Sequence, residues 1–247
     1  MANPVLSEKI FSKSESTGEG VMTVGGTATK ALIMLTLVFA AGAYTWKMFN
    51  EAINPASVNT WMFVGLIGGF ITALIISFSP KSAPYLAPVY AVLEGLFLGA
   101  ISAAYNSAFA ETAPNIVINA ILLTFLAAFL MLTIFRSGLI KVNSRFVKII
   151  MIAISTVLVY YITLMVLRLF GVNLSFLTGS SPLSIGISVV IVFIAAFSLL
   201  VDYDFIEKAS AQGAPKYMEW YGAFGLMVTL VWLYLEILKL LGKVSKR

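Results

Sequence analysis

The chain has 247 residues, 60% of them apolar and only 11% charged, where a soluble domain carries about 25% charged residues. With a mean hydropathy of +0.97, a soluble fold of this size could not keep a largely polar face toward water, and disorder, collagen and nucleic-acid binding are excluded by the same figures. The net charge is +5, and its Lys and Arg stand at the ends of apolar runs, where such residues orient membrane segments; composition therefore predicts an integral membrane protein.

The chain has no cysteine and no histidine. Disulfides, thiolate metal sites, imidazole ligands and Ser-His pairs are excluded, as is the usual neutral-pH switch. Proton or cation chemistry within the membrane falls to carboxylates, Lys, Arg, Tyr and backbone groups.

Residues 1–29 are polar and small, with Glu8, Glu15 and Glu19 among Ser, Thr and Gly. The first long apolar run begins only at Ala31, so the start reads as a polar tail rather than a cleaved signal peptide. Seven apolar segments follow, over roughly 31–49, 61–78, 84–109, 114–135, 146–170, 183–206 and 217–242. Each approaches the ~20 residues that cross hydrocarbon as a helix. The predicted fold is an all-α bundle of seven transmembrane helices over 30–247. Pro and Gly punctuate it at Asn54-Pro55, Ser79-Pro80-Lys81, Ala113-Pro114, Arg136-Ser137-Gly138, Gly179 to Pro182 and Gly213 to Lys216. Pro suits a first helical turn and Gly an end.

Lys and Arg set the orientation. With the N-terminus inside, the inner loops hold Lys9, Lys13, Lys30, Lys81, Arg136, Lys141, Arg145, Lys148, Lys208 and Lys216. The outer loops hold Lys47 and Arg168. This predicts a multi-pass protein of the inner (plasma) membrane with a cytoplasmic N-terminus. The C-terminal Lys239, Lys243, Lys246 and Arg247 then fall outside, against the rule. Arg168 reads as snorkelling to the interface. Segment 3 carries Ala87, Ala91, Gly95, Gly99 and Ala103, and segment 2 carries Gly65, Gly69, Ala73 and Ser77. Spacing by four places each set on one helix face, where small residues let backbones approach.

Three carboxylates interrupt apolar runs: Glu94 in segment 3, Asp202 at the end of segment 6 and Glu236 in segment 7. A charge at mid-bilayer costs at least ~2.5 kcal/mol, so such residues face a partner or a wet cavity. Asp202 with Asp204 and Glu207 can be the wet end of its segment. Glu236 has Lys239 three residues on for a local ion pair. Glu94 has no basic residue within a turn and can persist as a neutral, hydrogen-bonded acid. The functional alternative for all three is an ion or proton path.

The chain resembles the Bax inhibitor-1/YccA family, the transmembrane Bax-inhibitor-motif proteins, in a bacterial branch. The resemblance is carried by Asn3-Pro4-Val5-Leu6, Met22 to Thr27, Ser79-Pro80-Lys81, Tyr90 to Gly99, Leu200 to Ile206 and Trp232 to Leu238. It implies seven helices with the last one central, and a pH-sensitive calcium leak. It implies further that Asp202 on helix 6 and Glu236 on helix 7 share a proton, gate the path and serve as calcium ligands. Lys81 stands for a basic residue near the pair. Read from the residues themselves, and not from the resemblance, Glu94 and Asp204 are assigned to the ion pathway. Two acids sharing one proton titrate as a unit, which supplies pH sensitivity without histidine.

Asp202 and Glu236 are 34 residues apart. Straight helices turning near Gly213 would separate them by about 18 Å in height. Contact therefore requires a break in the last helix, at Pro215 or between Gly222 and Gly225. No cofactor is expected beyond calcium as the transported ion, and the expected contacts are lipid and cations. The alternative reading is a non-enzymatic regulator that binds another membrane protein, such as a membrane protease. Enzymatic readings fail because Tyr203-Asp204 lacks the Gly-x-Gly-Asp that intramembrane aspartyl proteases require.

Overall fold

The computed structural model describes residues 20–51, 55–172 and 174–246. The expected tail lies mostly outside that range, with its Glu8, Glu15 and Glu19, the Asn3 to Leu6 stretch, Lys9 and Lys13; Asn54 and Arg247 lie outside it too. Seven long helices run α1 (Val24–Asn50), α2 (Pro55–Phe78), α3 (Ala83–Ala108), α4 (Ile116–Ser137), α5 (Ser144–Leu169), α6 (Pro182–Ala211) and α7 (Met218–Ser245). All seven are long and apolar enough to cross a membrane. A 3₁₀ turn at Pro80–Ser82 precedes α3, and one helical turn at Ser175–Thr178 precedes α6.

The helix ends follow the local chemistry. Thr23 caps α1 by accepting from the Gly26 amide, and Asn143 caps α5 by accepting from Phe146. Gly138 ends α4 in the left-handed region at φ 66°, which a glycine adopts without steric cost. The polar tail therefore ends earlier than residue 29, because the Thr23 cap starts α1 at Val24. The last helix runs unbroken from Met218 to Ser245, so the expected break between Gly222 and Gly225 is absent. Pro215 stands in the turn before it.

The exterior is apolar. Leu122, Leu126 and Phe129 of α4 and Phe63, Ile67 and Phe70 of α2 are exposed. Serine and threonine hydroxyls hide by donating to their own helix, as Thr72 does to the Gly68 carbonyl and Thr124 to that of Ala120. Such self-satisfaction is what hydrocarbon demands.

The described chain forms two compact units, one of residues 20–108 with 204–228 and one of 109–203 with 229–246. In the first, the small-residue faces do what their spacing predicts. Ala87, Ala91 and Ala103 are buried, and a Cβ on Gly95 or Gly99 would collide with α1 at Val38 and Gly42. Gly65 of α2 meets α3 at Leu93 and Phe97 in the same way. In the second unit, Ile150 and Val201 are buried among Phe146, Val147, Ile154 and Phe197.

Candidate functional site

Glu236 sits on α7 with 2% of its side chain exposed. Three donors converge on it. Lys239, one turn on, places its ammonium 2.6 Å from Oε1. The Tyr161 hydroxyl of α5 lies 2.9 Å from both carboxylate oxygens, and Trp232, one turn back, donates its indole N–H at 3.1 Å. Lys239 also donates to the Tyr161 oxygen at 2.9 Å and lies 4.6 Å from the centre of that ring. Tyr160 and Lys243 stand within electrostatic reach. A buried carboxylate is tolerable only when charge and hydrogen bonds are both supplied, and here the chain supplies both.

Asp202 is also buried, with 1% exposure, in α6, which continues past it to Ala211. Among the described residues, Glu236 takes its hydrogen bonds from Lys239, Tyr161 and Trp232. Asp204 is held by Lys208 at 2.6 Å, one turn on in the same helix. Glu94 lies on α3 facing α2, where a Cβ on Gly69 would come within 3.0 Å of its Oε2. Among the described residues its carboxylate has no hydrogen-bond partner. Lys81 is exposed in the 3₁₀ turn and makes no ion pair among the described residues.

A second charged cluster was not legible in the sequence. Glu219, in the first turn of α7, is wholly buried and takes Lys30 of α1 at 2.5 Å and Lys216 at 3.0 Å. Thr23 adds its amide at 3.0 Å and its hydroxyl at 2.9 Å. The segment before α1 is pinned to the α6–α7 turn as well. Met22 donates its amide to the Ala214 carbonyl at 2.7 Å, Lys216 donates to that of Gly20, and the Ser210 hydroxyl donates to Met22. A Cβ on Gly26 would overlap the Glu219 carboxylate, so a larger residue there would push that carboxylate away from its donors.

Sequence reasoning found Glu236 and the Lys239 three residues on, because both lie on one helix face. It missed Tyr161, which is 75 residues away in the chain, and it missed Glu219, which reads as an ordinary first-turn acid. Among the described residues, no group of three or more Asp and Glu is placed to hold a metal ion. A cation at Asp202 or Glu236 would need carbonyl or water oxygens to complete its shell.

The family model described as Bax inhibitor 1 like matches residues 3–246. No curated protein and no solved structure matches the chain.

Proposed function

We propose, from the premise that the chain belongs to the Bax inhibitor 1 like family, that it is a pH-sensitive cation leak, with calcium as the cation and with membrane-embedded carboxylates as its gate. The observation that supports this is Glu236, a carboxylate buried in a membrane-spanning helix and neutralised by an ammonium at 2.6 Å. Such a charge has no evident packing purpose, and intramembrane acids mark ion and proton paths by default.

In this reading the Glu236–Lys239 pair is a holding contact. Protonation of Glu236 removes the charge that keeps Lys239 in place, and a permeant cation competes with Lys239 for the same oxygens. Asp202 is the second acid of the gate. The reading does not require the two acids to touch in the present state, only that they serve one path. Glu94 and Asp204 are kept as candidates for the ion pathway, and Lys81 as a candidate for tuning it.

In this reading the protein sits in the inner membrane, and the Lys and Arg count favours a cytoplasmic N-terminus. The C-terminal lysines that break the count have internal uses. Lys239 serves Glu236, Lys243 donates to the Ser188 hydroxyl at 2.8 Å, and Lys246 lies 5.4 Å from the centre of the Phe109 ring.

The test is flux of Ca²⁺ against Na⁺ and K⁺ from reconstituted vesicles across a pH series. The expected result is a Ca²⁺ flux whose pH profile shifts in Asp202→Asn and in Glu236→Gln. The double variant should add little to either, since both acids gate one path. Additive, independent shifts, or no shift in either single variant, would falsify the paired gate. No flux of any cation at any pH would remove the leak itself.

A further inference from the structure

A cavity of about 690 Å³ opens along the last two turns of α5. Its wall includes Tyr161, Leu164, Met165 and Arg168 from the helix, with Leu174 and Thr178 from the segment after it. The four α5 residues stand at i, i+3, i+4 and i+7, which is one stripe of a helix. Tyr161 and Arg168 are therefore about 10 Å apart along the axis. The stripe is apolar through its middle and cationic at the helix end. The volume is that of a small-molecule site.

Two features of the groove identify its occupant. The rim is apolar and exposed, with Leu169 80% exposed and Met165 60%, on a helix long and apolar enough to span a membrane. Lipid, rather than water, covers such a rim. Arg168, meanwhile, lines the groove, is exposed, and has no carboxylate partner among the described residues. A guanidinium binds a phosphodiester through two parallel hydrogen bonds. A choline or ethanolamine headgroup brings its own cation to that phosphate, whereas a glycerol headgroup does not.

We propose that this groove is a binding site for one anionic phospholipid, its phosphodiester on Arg168 and one acyl chain along Leu164 and Met165 toward Tyr161. The site has a consequence for the Glu236 cluster, because one side chain serves both. Tyr161 forms part of the groove wall, and its hydroxyl meets both Glu236 oxygens. An acyl chain against the ring restrains the hydroxyl that orients the carboxylate. The inference stands apart from the leak reading, since neither readout below needs ion flux.

The test begins with full-length protein in nanodiscs of phosphatidylcholine doped with phosphatidylglycerol. Lipid retained after transfer to detergent is counted by native mass spectrometry. The wild type should keep one phosphatidylglycerol in preference to phosphatidylcholine. Arg168→Gln should lower that preference about tenfold, the effect of losing roughly 1.4 kcal/mol of headgroup contact. Equal preference in both proteins, or none in the wild type, overturns the site. Displacement of the retained lipid by millimolar soluble glycerol phosphate also overturns it, because the groove would then be reading a free phosphate.

The second readout uses a variant with Trp46, Trp61 and Trp220 changed to Phe, leaving Trp232 as reporter. The indole of Trp232 donates to Glu236, so its emission should move as phosphatidylglycerol is titrated. In the Arg168→Gln background it should not. An emission that ignores lipid in both backgrounds overturns the link to Glu236. The retention experiment still decides the site itself if the reporter variant folds poorly.

Discussion

The last helix carries two buried carboxylates 17 residues apart, and they are satisfied in different ways. Glu219 is wholly buried and has two lysines and two donors from Thr23. Three of those four contacts come from a segment about 190 residues away in the chain. Glu236 has one lysine, which is its own helical neighbour and 35% exposed, with neutral donors from Tyr161 and Trp232. The first arrangement fastens the segment before α1 to the start of α7. The second can release its cation to water without unfolding anything, because Lys239 already has about a third of its side chain exposed. An overdetermined ion cluster fixes structure, and a cluster with one replaceable cation can switch.

The comparison fails most visibly if Glu219 proves dispensable. Glu219→Ala leaves Lys30 and Lys216 without their counter-charge and strands the Thr23 donors. Loss of one partner from a buried pair costs about 3–5 kcal/mol. Thermal unfolding in detergent should show a large fall in midpoint, and Gly26→Ala should approach it, since the new Cβ displaces the same carboxylate. Lys216→Met should matter far less, because that side chain is 47% exposed and Lys30 remains. A wild-type midpoint for both Glu219→Ala and Gly26→Ala would show the cluster to be idle.

Next in size is Lys239→Met. It leaves Glu236 with only neutral donors, at a stability cost on the order of 2 kcal/mol once exposure of the lysine is allowed for. Its functional effect should be the opposite of damage. With the resident ammonium gone, cation flux near neutral pH should rise several-fold. Flux at or below the wild-type level in a folded variant would remove Lys239 from the gate.

Glu236→Gln sharpens the contrast from the other side. Lys239 can turn to solvent, so the midpoint should fall by about 1 kcal/mol or less, while the pH dependence of flux should flatten. The sign follows from the contact. Protonation and amidation both remove the charge that holds Lys239, so the variant should behave at every pH as the wild type does in acid. A midpoint loss as large as that of Glu219→Ala would mean that Glu236 is structural too.

The smallest effect is expected at Glu94. Among the described residues its carboxylate has no hydrogen bond to lose, so Glu94→Gln should leave the midpoint within about 0.5 kcal/mol of wild type. Altered flux would place it on the ion path. Flux unchanged across the whole pH range would leave it a packing residue against Gly69.

Much of the fold was legible because its constraints are local. Segment length, the Thr23 and Asn143 caps, the glycine ending α4 and the spacing of small residues on α2 and α3 each act within a few turns. Glu94, Asp202 and Glu236 stood out because a carboxylate in an apolar run is a local anomaly. The cations that answer buried acids were harder to read. Helical spacing supplied Lys239 for Glu236, but no spacing supplied Lys30 for Glu219. Glu219 gave no signal, because an acid in a first helical turn is ordinary.

By itself, the sequence determined that this chain crosses a membrane seven times and belongs with the Bax inhibitor 1 like proteins. A bilayer fixes the length of a span and forces each helix to satisfy its own backbone, so one segment at a time carries the information. Only the tertiary structure decided that Thr23 and Lys30 close on Glu219 and that Tyr161 stands over Glu236 and beside the Arg168 groove. Those partners are separated by 75 to 196 residues. Pairing across such distances depends on which helix faces meet, a matter of packing that no single segment encodes.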